Sequence, residues 1–203
     1  MTVARRGAAF GLPVGAGGVR PVANVVLVLD MVRGFCEEGH PLYVGEPVRR
    51  IIEPIRRLLA EEQARGSSII FLCDNHAPDD AEFQMFPPHC IRGSDETRVI
   101  SELQEFADEV IPKTRFSCFF GTNLDQRLLA LKPDKVTAVG VCTDICVMHT
   151  VAAARDRDYA VEVPADCVAT FDPEAHRFAL GHIEKILGAN VVAPSEAPRK
   201  TAH

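Results

Sequence analysis

Short, nearly all-apolar runs recur along the chain, separated by stretches in which apolar residues return every three to four positions. Residues 25–29 read VVLVL and end at Asp30. Such a β-branched run, apolar at every position, predicts a parallel strand covered on both faces. Similar runs lie at 68–73 ending at Asp74, at 135–141 leading into Cys142, and at 160–163 before Pro164. A weaker one lies at 109–111, and a last one at 190–192. Between them, residues 47–65 set Val48, Ile51, Ile52, Ile55, Leu58 and Leu59 on one helical stripe that stops at Gly66. Residues 124–131, 146–156 and 173–187 show the same period. Strands alternating with helices imply right-handed crossovers and a three-layer α/β/α arrangement around a mainly parallel sheet, here of six strands.

Residues 1–22 are rich in Gly, Ala, Arg and Pro, a composition that buries too little apolar surface to offset chain entropy, so they are expected to form a flexible N-terminal arm. The expected organisation is that arm, one domain over 23–195, and a tail over 196–203. A chain of 203 residues, 47% hydrophobic and 25% charged, suffices for one substantial core rather than two. The net charge of −6 offers no footprint for nucleic acid or an anionic membrane, which turns attention to a small-molecule or protein partner. No run approaches the roughly 18 apolar residues of a membrane span. A cytoplasmic location is therefore expected, and seven cysteines without paired spacing fit a reducing compartment.

In open parallel sheets, ligands bind beyond the carboxyl ends of the strands. Asp30, Asp74, Lys113 and the run Gly140-Val141-Cys142-Thr143-Asp144-Ile145-Cys146 all fall there. An Asp after a strand is often only a helix cap or turn residue. Together, however, an acid, an amine and a thiol supply a proton acceptor, a charge to hold a thiolate, and a nucleophile. Cys146 stands where strand turns to helix. There the helix N-terminus and Lys113 are expected to lower its thiol below the usual value of about 8.5. The alternatives are a thiol buried as a small hydrophobe, or a redox pair with Cys142, although C-x-x-x-C lacks the usual redox spacing. A second group follows the second strand: Asp74, His76 and, thirteen residues further on, His89. These are mixed nitrogen and oxygen ligands suited to zinc, iron or manganese, with Glu82, Asp79 or Asp80 to complete the set. A solvated acidic loop would read similarly.

The ordered motifs are LDM-x-x-x-F at 29–35, DNH at 74–76, FPPHC at 86–90, PK-x-RFS-x-F at 112–119, GVCTDICV at 140–147 and FALGH at 178–182. The chain resembles the nicotinamidases of the isochorismatase-like cysteine hydrolases over about 25–192. The resemblance implies an amidohydrolase converting nicotinamide to nicotinic acid and ammonia, a step of NAD salvage, with Asp30 as base, Lys113 as thiolate and transition-state stabiliser and Cys146 as nucleophile. It further implies a cis Val141–Cys142 peptide, with the backbone N–H groups of Cys142 and Cys146 as oxyanion hole. Asp74, His76, Glu82 and His89 would hold one divalent metal ion, zinc first and iron or manganese next, that orients the pyridine nitrogen. Phe35, Phe119 and Val141 would wall the substrate pocket, though each Phe also reads as ordinary core. A homo-oligomer is implied as well. Val32 and Gly34 depart from the family pattern, which has Gln and Asp at those places, and this bears on the pocket wall and the choice of amide. The metal ligands argue against an isochorismatase proper and less against a carbamoyl or ureido amidohydrolase. A catalytically silent relative acting as a binding module is the remaining alternative.

Overall fold

The structure, a computed structural model, describes residues 24–193. The expected arm at 1–22 and tail at 196–203 lie outside them. Within them, strands β1 (Asn24–Leu29), β2 (Ser68–Asp74), β3 (Val110–Lys113), β4 (Lys135–Val141), β5 (Val161–Pro164), β6 (Val168–Ala169) and β7 (Asn190–Val192) form one sheet. Helices α1 (Arg33–Cys36), α2 (Glu46–Ala64), α3 (Leu124–Leu131), α4 (Met148–Arg155) and α5 (Pro173–Lys185) surround it. The strand order is β3-β2-β1-β4-β5-β7, with β6 added to the end of β4, and every ladder is parallel. The sheet therefore has seven strands rather than the expected six. The strand missed in the sequence is two residues long, too short to show any period.

Alternate side chains of β1 feed two separate cores, as the pleat requires. Val26 and Val28 pack with Val48, Ile51, Ile52, Ile55 and Leu59 of α2. Val25, Leu27 and Leu29 pack on the opposite face with Leu124 and Leu128 of α3, Val151 of α4 and Ile183 of α5. This is the three-layer arrangement, and it explains why β1 is apolar at consecutive positions. Pro112 sits in β3, an edge strand, where a missing N–H is tolerated. Chain order reverses between β1 and β4, so the crevice of the fold lies beyond their carboxyl ends. No helix of the described residues is long and apolar enough to cross a membrane.

Candidate active site

Four strand ends deliver side chains to that crevice. Asp30 leaves β1 in the left-handed region, at φ 55°, which Asp tolerates better than most residues. Its amide still donates to the Leu72 carbonyl at 2.9 Å, while its Oδ1 accepts the Asp74 amide at 2.9 Å. The β2–β3 register sets Lys113 directly beside Asp74. On β4, Gly140 (φ 113°) passes so close to β1 that a Cβ there would lie 2.0 Å from the Leu29 carbonyl oxygen, so only glycine fits. The Val141–Cys142 peptide that follows is cis. The chain then makes a single π-type turn, Thr143–Val147, before α4 begins at Met148. Cys146 thus sits inside this turn rather than at the first residue of an α-helix.

These elements bring Asp30, Lys113 and Cys146 together, all buried. Lys113 Nζ lies 2.8 Å from Asp30 Oδ2 and 2.5 Å from Asp74 Oδ1, and it donates to Cys146 Sγ at 3.6 Å. Burial alone would lower the lysine, but Asp30 and Asp74 outweigh it and hold the ammonium well above its ordinary value. Asp30 is pushed up to about 6, first by burial and then by the charge of Asp74, with Lys113 only partly countering. Its Oδ2 has the ammonium nearby but no aligned hydrogen-bond donor, so a lone pair stays free to take a proton. Burial also pulls Asp74 upward, yet Lys113, His76 and His89 together hold it well below the usual carboxylate range.

The thiol corrects the sequence expectation. Burial raises Cys146 well above its ordinary value, Lys113 counters, and Asp30 and Asp74 add to the rise. Two carboxylates to one ammonium in a buried site disfavour a resting thiolate, and Asp30 is the carboxylate placed to accept the thiol's proton. Cys142 is likewise pushed up, to about 12, chiefly by burial. All seven cysteines are free and buried.

Asp74, His76, Glu82 and His89 also converge, each buried, with one donor atom apiece within 4.8 Å of the others. A parallel bridge between His76 and Ile91 folds the 76–92 loop back on itself, so the two histidines meet with ring centroids 4.8 Å apart. Asp74 Oδ2 is 3.5 Å from His76 Nε2 and 3.6 Å from His89 Nε2, and Glu82 Oε1 is 3.9 Å from His89 Nε2. Four donors about 2.1 Å from a tetrahedral ion would be roughly 3.4 Å apart. The outer nitrogens are occupied: His76 Nδ1 meets Asp80 at 3.1 Å and His89 Nδ1 meets the Pro87 carbonyl at 2.9 Å. That arrangement fixes the rings with Nε2 inward, as metal-binding histidines require. His76 Nε2 and Glu82 Oε2 have no hydrogen-bond partner, and burial followed by the Asp74 charge raises Glu82. Buried carboxylates with unpartnered ligand atoms fit a divalent cation. Of the two other acids considered, Asp80 instead positions His76, and Asp79 is exposed.

Both groups border one cleft, partly open to solvent, which Asp30, Asp74, Glu82, His89, Cys142 and Cys146 line. Phe35 and Val141 are on its wall, as are Phe86, Phe116 and Phe171. Phe119 is not: it lies in the core under α3, with the Arg157 guanidinium 4.3 Å above its ring. Phe116, three residues earlier in the same motif, takes the wall position. At Gly34 a side chain would meet Cys90 Sγ at 2.8 Å and Glu96 Cβ at 3.2 Å, so the acid of the family pattern has no room there.

Comparison with known proteins places these features in context. Residues 24–195 match the isochorismatase domain. The chain is 33% identical over 179 residues to the isochorismatase family protein PncA of Bacillus subtilis, covering 83% of this chain and 98% of that one. A crystal structure of nicotinamidase/pyrazinamidase PncA from Bacillus subtilis superposes with a TM-score of 0.79 at 31% identity, covering 84% and 99%. N-carbamoylsarcosine amidase from Thermoplasma acidophilum gives 0.76 at 31% identity, covering 87% and 99%. Pyrazinamidase of Pyrococcus horikoshii in complex with zinc gives 0.77 at 26% identity, covering 84% and 99%.

Proposed function

The chain belongs to the isochorismatase family and is a hydrolase of amide C–N bonds, and from that premise we propose that it is a metal-dependent nicotinamidase, releasing nicotinic acid and ammonia in NAD salvage. The observation that carries the reading is that Cys146 and Asp30, both in contact with Lys113, line one cleft with Asp74, Glu82 and His89 of the four-residue ligand set. Asp74, His76, Glu82 and His89 would hold the ion, which would supply Lewis-acid binding of a ring nitrogen. Zinc suits two imidazoles and two carboxylates, as do iron and manganese, and the zinc complex of the Pyrococcus horikoshii relative supports the first.

In this reading the Cys146 thiol gives its proton to Asp30 as sulfur bonds to the carboxamide carbon. The backbone N–H groups of Cys142 and Cys146 receive the developing oxyanion. Lys113 keeps its charge throughout and steadies both the carboxylate and the sulfur. Asp30 returns the proton to the leaving nitrogen, and ammonia departs. Asp30, ionised again, then draws a proton from water, which attacks the thioester carbon, and Cys146 recovers its proton as nicotinic acid leaves. Phe35, Val141 and Phe116 would wall the ring.

A second reading keeps the chemistry and changes the substrate to another carboxamide or a carbamoyl compound, which the likeness to N-carbamoylsarcosine amidase favours. The test is ammonia release from nicotinamide, pyrazinamide and a carbamoyl panel, before and after chelation and metal restoration. Chelator-sensitive release from nicotinamide supports the first reading, and release from carbamoyl compounds alone replaces it with the second. No release from any of them overturns both and leaves a silent relative.

A further inference from the structure

The turn that carries Cys146 is gripped from outside the cleft by one short segment. The whole β4–β6 pairing consists of Gly140↔Val168 and Val141↔Ala169, the last two residues before Cys142. One residue on, the buried Thr170 hydroxyl donates to Asp144 Oδ1 at 2.6 Å. Near the start of α5, His176 Nδ1 lies 2.9 Å from Oγ1 of Thr143, a residue wholly buried. Residues 168–176 therefore hold positions 140, 141, 143 and 144 in succession. Thr143 matters most, because its carbonyl accepts the Met148 amide that closes the turn, while the Cys142 carbonyl accepts from Ile145 and Val147. His176 is the hydrogen-bond partner of the Thr143 side chain. Neither His176 nor Thr143 lines the cleft, and the reaction uses neither.

We propose that His176 is a positioning residue: by fixing the Thr143 hydroxyl it sets the direction in which the Cys142 and Cys146 amides point. This rests on reading Cys146 as nucleophile and those amides as the oxyanion hole. Burial keeps His176 below the ordinary imidazole value, with Asp144 countering and Arg177 reinforcing. A neutral ring can accept the Thr143 hydroxyl at Nδ1.

The test compares His176→Ala with His176→Asn, whose amide oxygen can replace Nδ1 as acceptor, in the full-length metal-loaded protein. Two readouts are taken: kinetics on the best amide, and hydrogen exchange of the peptide spanning 142–147. A misplacement of about 1 Å can cost roughly 100-fold in rate, so His176→Ala should lose about 10-fold to 100-fold in kcat with KM nearly unchanged. Its 142–147 amides should exchange faster while the rest of the sheet does not, and His176→Asn should recover most of both. The proposal is overturned if His176→Ala matches the wild type in kcat and exchange, if the loss falls on KM alone, or if an equally stable His176→Asn recovers nothing. If the wild type releases ammonia from no amide, the nucleophile reading fails separately, and unchanged exchange would then overturn the brace as well.

Discussion

Replacing Lys113 by Met removes one buried positive charge while nearly preserving its volume, and the consequences follow from the two carboxylates it holds. Its Nζ is 2.8 Å from Asp30 and 2.5 Å from Asp74, and all three side chains are at most 5% exposed. Removing one partner of a buried ion pair costs about 3–5 kcal/mol. At about 2–4 °C per kcal/mol for a domain of this size, Tm should fall by roughly 6–20 °C at pH 8. The gap must also depend on pH. In the wild type, Asp74 is held below the usual range, so it contributes stability above that range that is lost as pH falls. In Lys113→Met both carboxylates rise, which destabilises the fold above the ordinary carboxylate value and is relieved as pH falls through their raised values. The two Tm curves should therefore draw closer on acidification as the variant's raised carboxylates protonate, while the share contributed by wild-type Asp74 persists until pH falls through its own depressed value. Calorimetry of both proteins in chelator, so that no cation compensates, reads this directly. A Tm within about 2 °C of the wild type at pH 8, or a gap constant with pH, would refute the reasoning.

Further outcomes are expected. Cys146→Ala should abolish turnover while metal content by atomic absorption stays that of the wild type, because the nucleophile lies outside the ligand set; lost metal or lost fold would favour a structural role for the thiol. His89→Ala should lose the metal, and Asp80→Asn, which loosens His76 through its outer nitrogen, should weaken affinity by about 10-fold to 100-fold in titrations of the apo protein; unchanged affinity would remove Asp80 from that role. The acid limb of kcat/KM should fall near or below pH 6, since Asp30 must be ionised to act and is raised to about 6 partly by the Asp74 charge that a cation would offset. If Cys146 reacts from its protonated form, no second rise should appear between pH 7 and 9, and a rate that climbs there with thiol ionisation would count against Asp30 as base.

The sheet was legible because strands buried on both faces are nearly all-apolar, and residues 25–29 and 135–141 announce themselves. The acid, amine and thiol were legible because parallel topology sends strand ends to one edge. What was not legible depended on distant packing. β6 is defined by two hydrogen-bonded positions against β4, and no local pattern marks two residues. Phe116 and Phe119 share a motif, and only the loop after β3 decides which faces the cleft and which slides under Arg157. The thiol was misjudged because lysine and helix turn were visible in the sequence, whereas its complete burial beside two carboxylates was not. His176 was passed over because its partner lies 33 residues away, and its own flanks, Glu174, Ala175 and Arg177, gave no sign of that bond.

The central claim is that amide cleavage passes through a thioester at Cys146. Its most direct measurement is acid quenching of the metal-loaded protein during nicotinamide turnover, followed by peptide mapping by mass spectrometry. The account predicts a nicotinoyl adduct on the peptide bearing Cys146, absent in Cys146→Ala. Ammonia released at full rate with no adduct, or with the adduct on another cysteine, would contradict it.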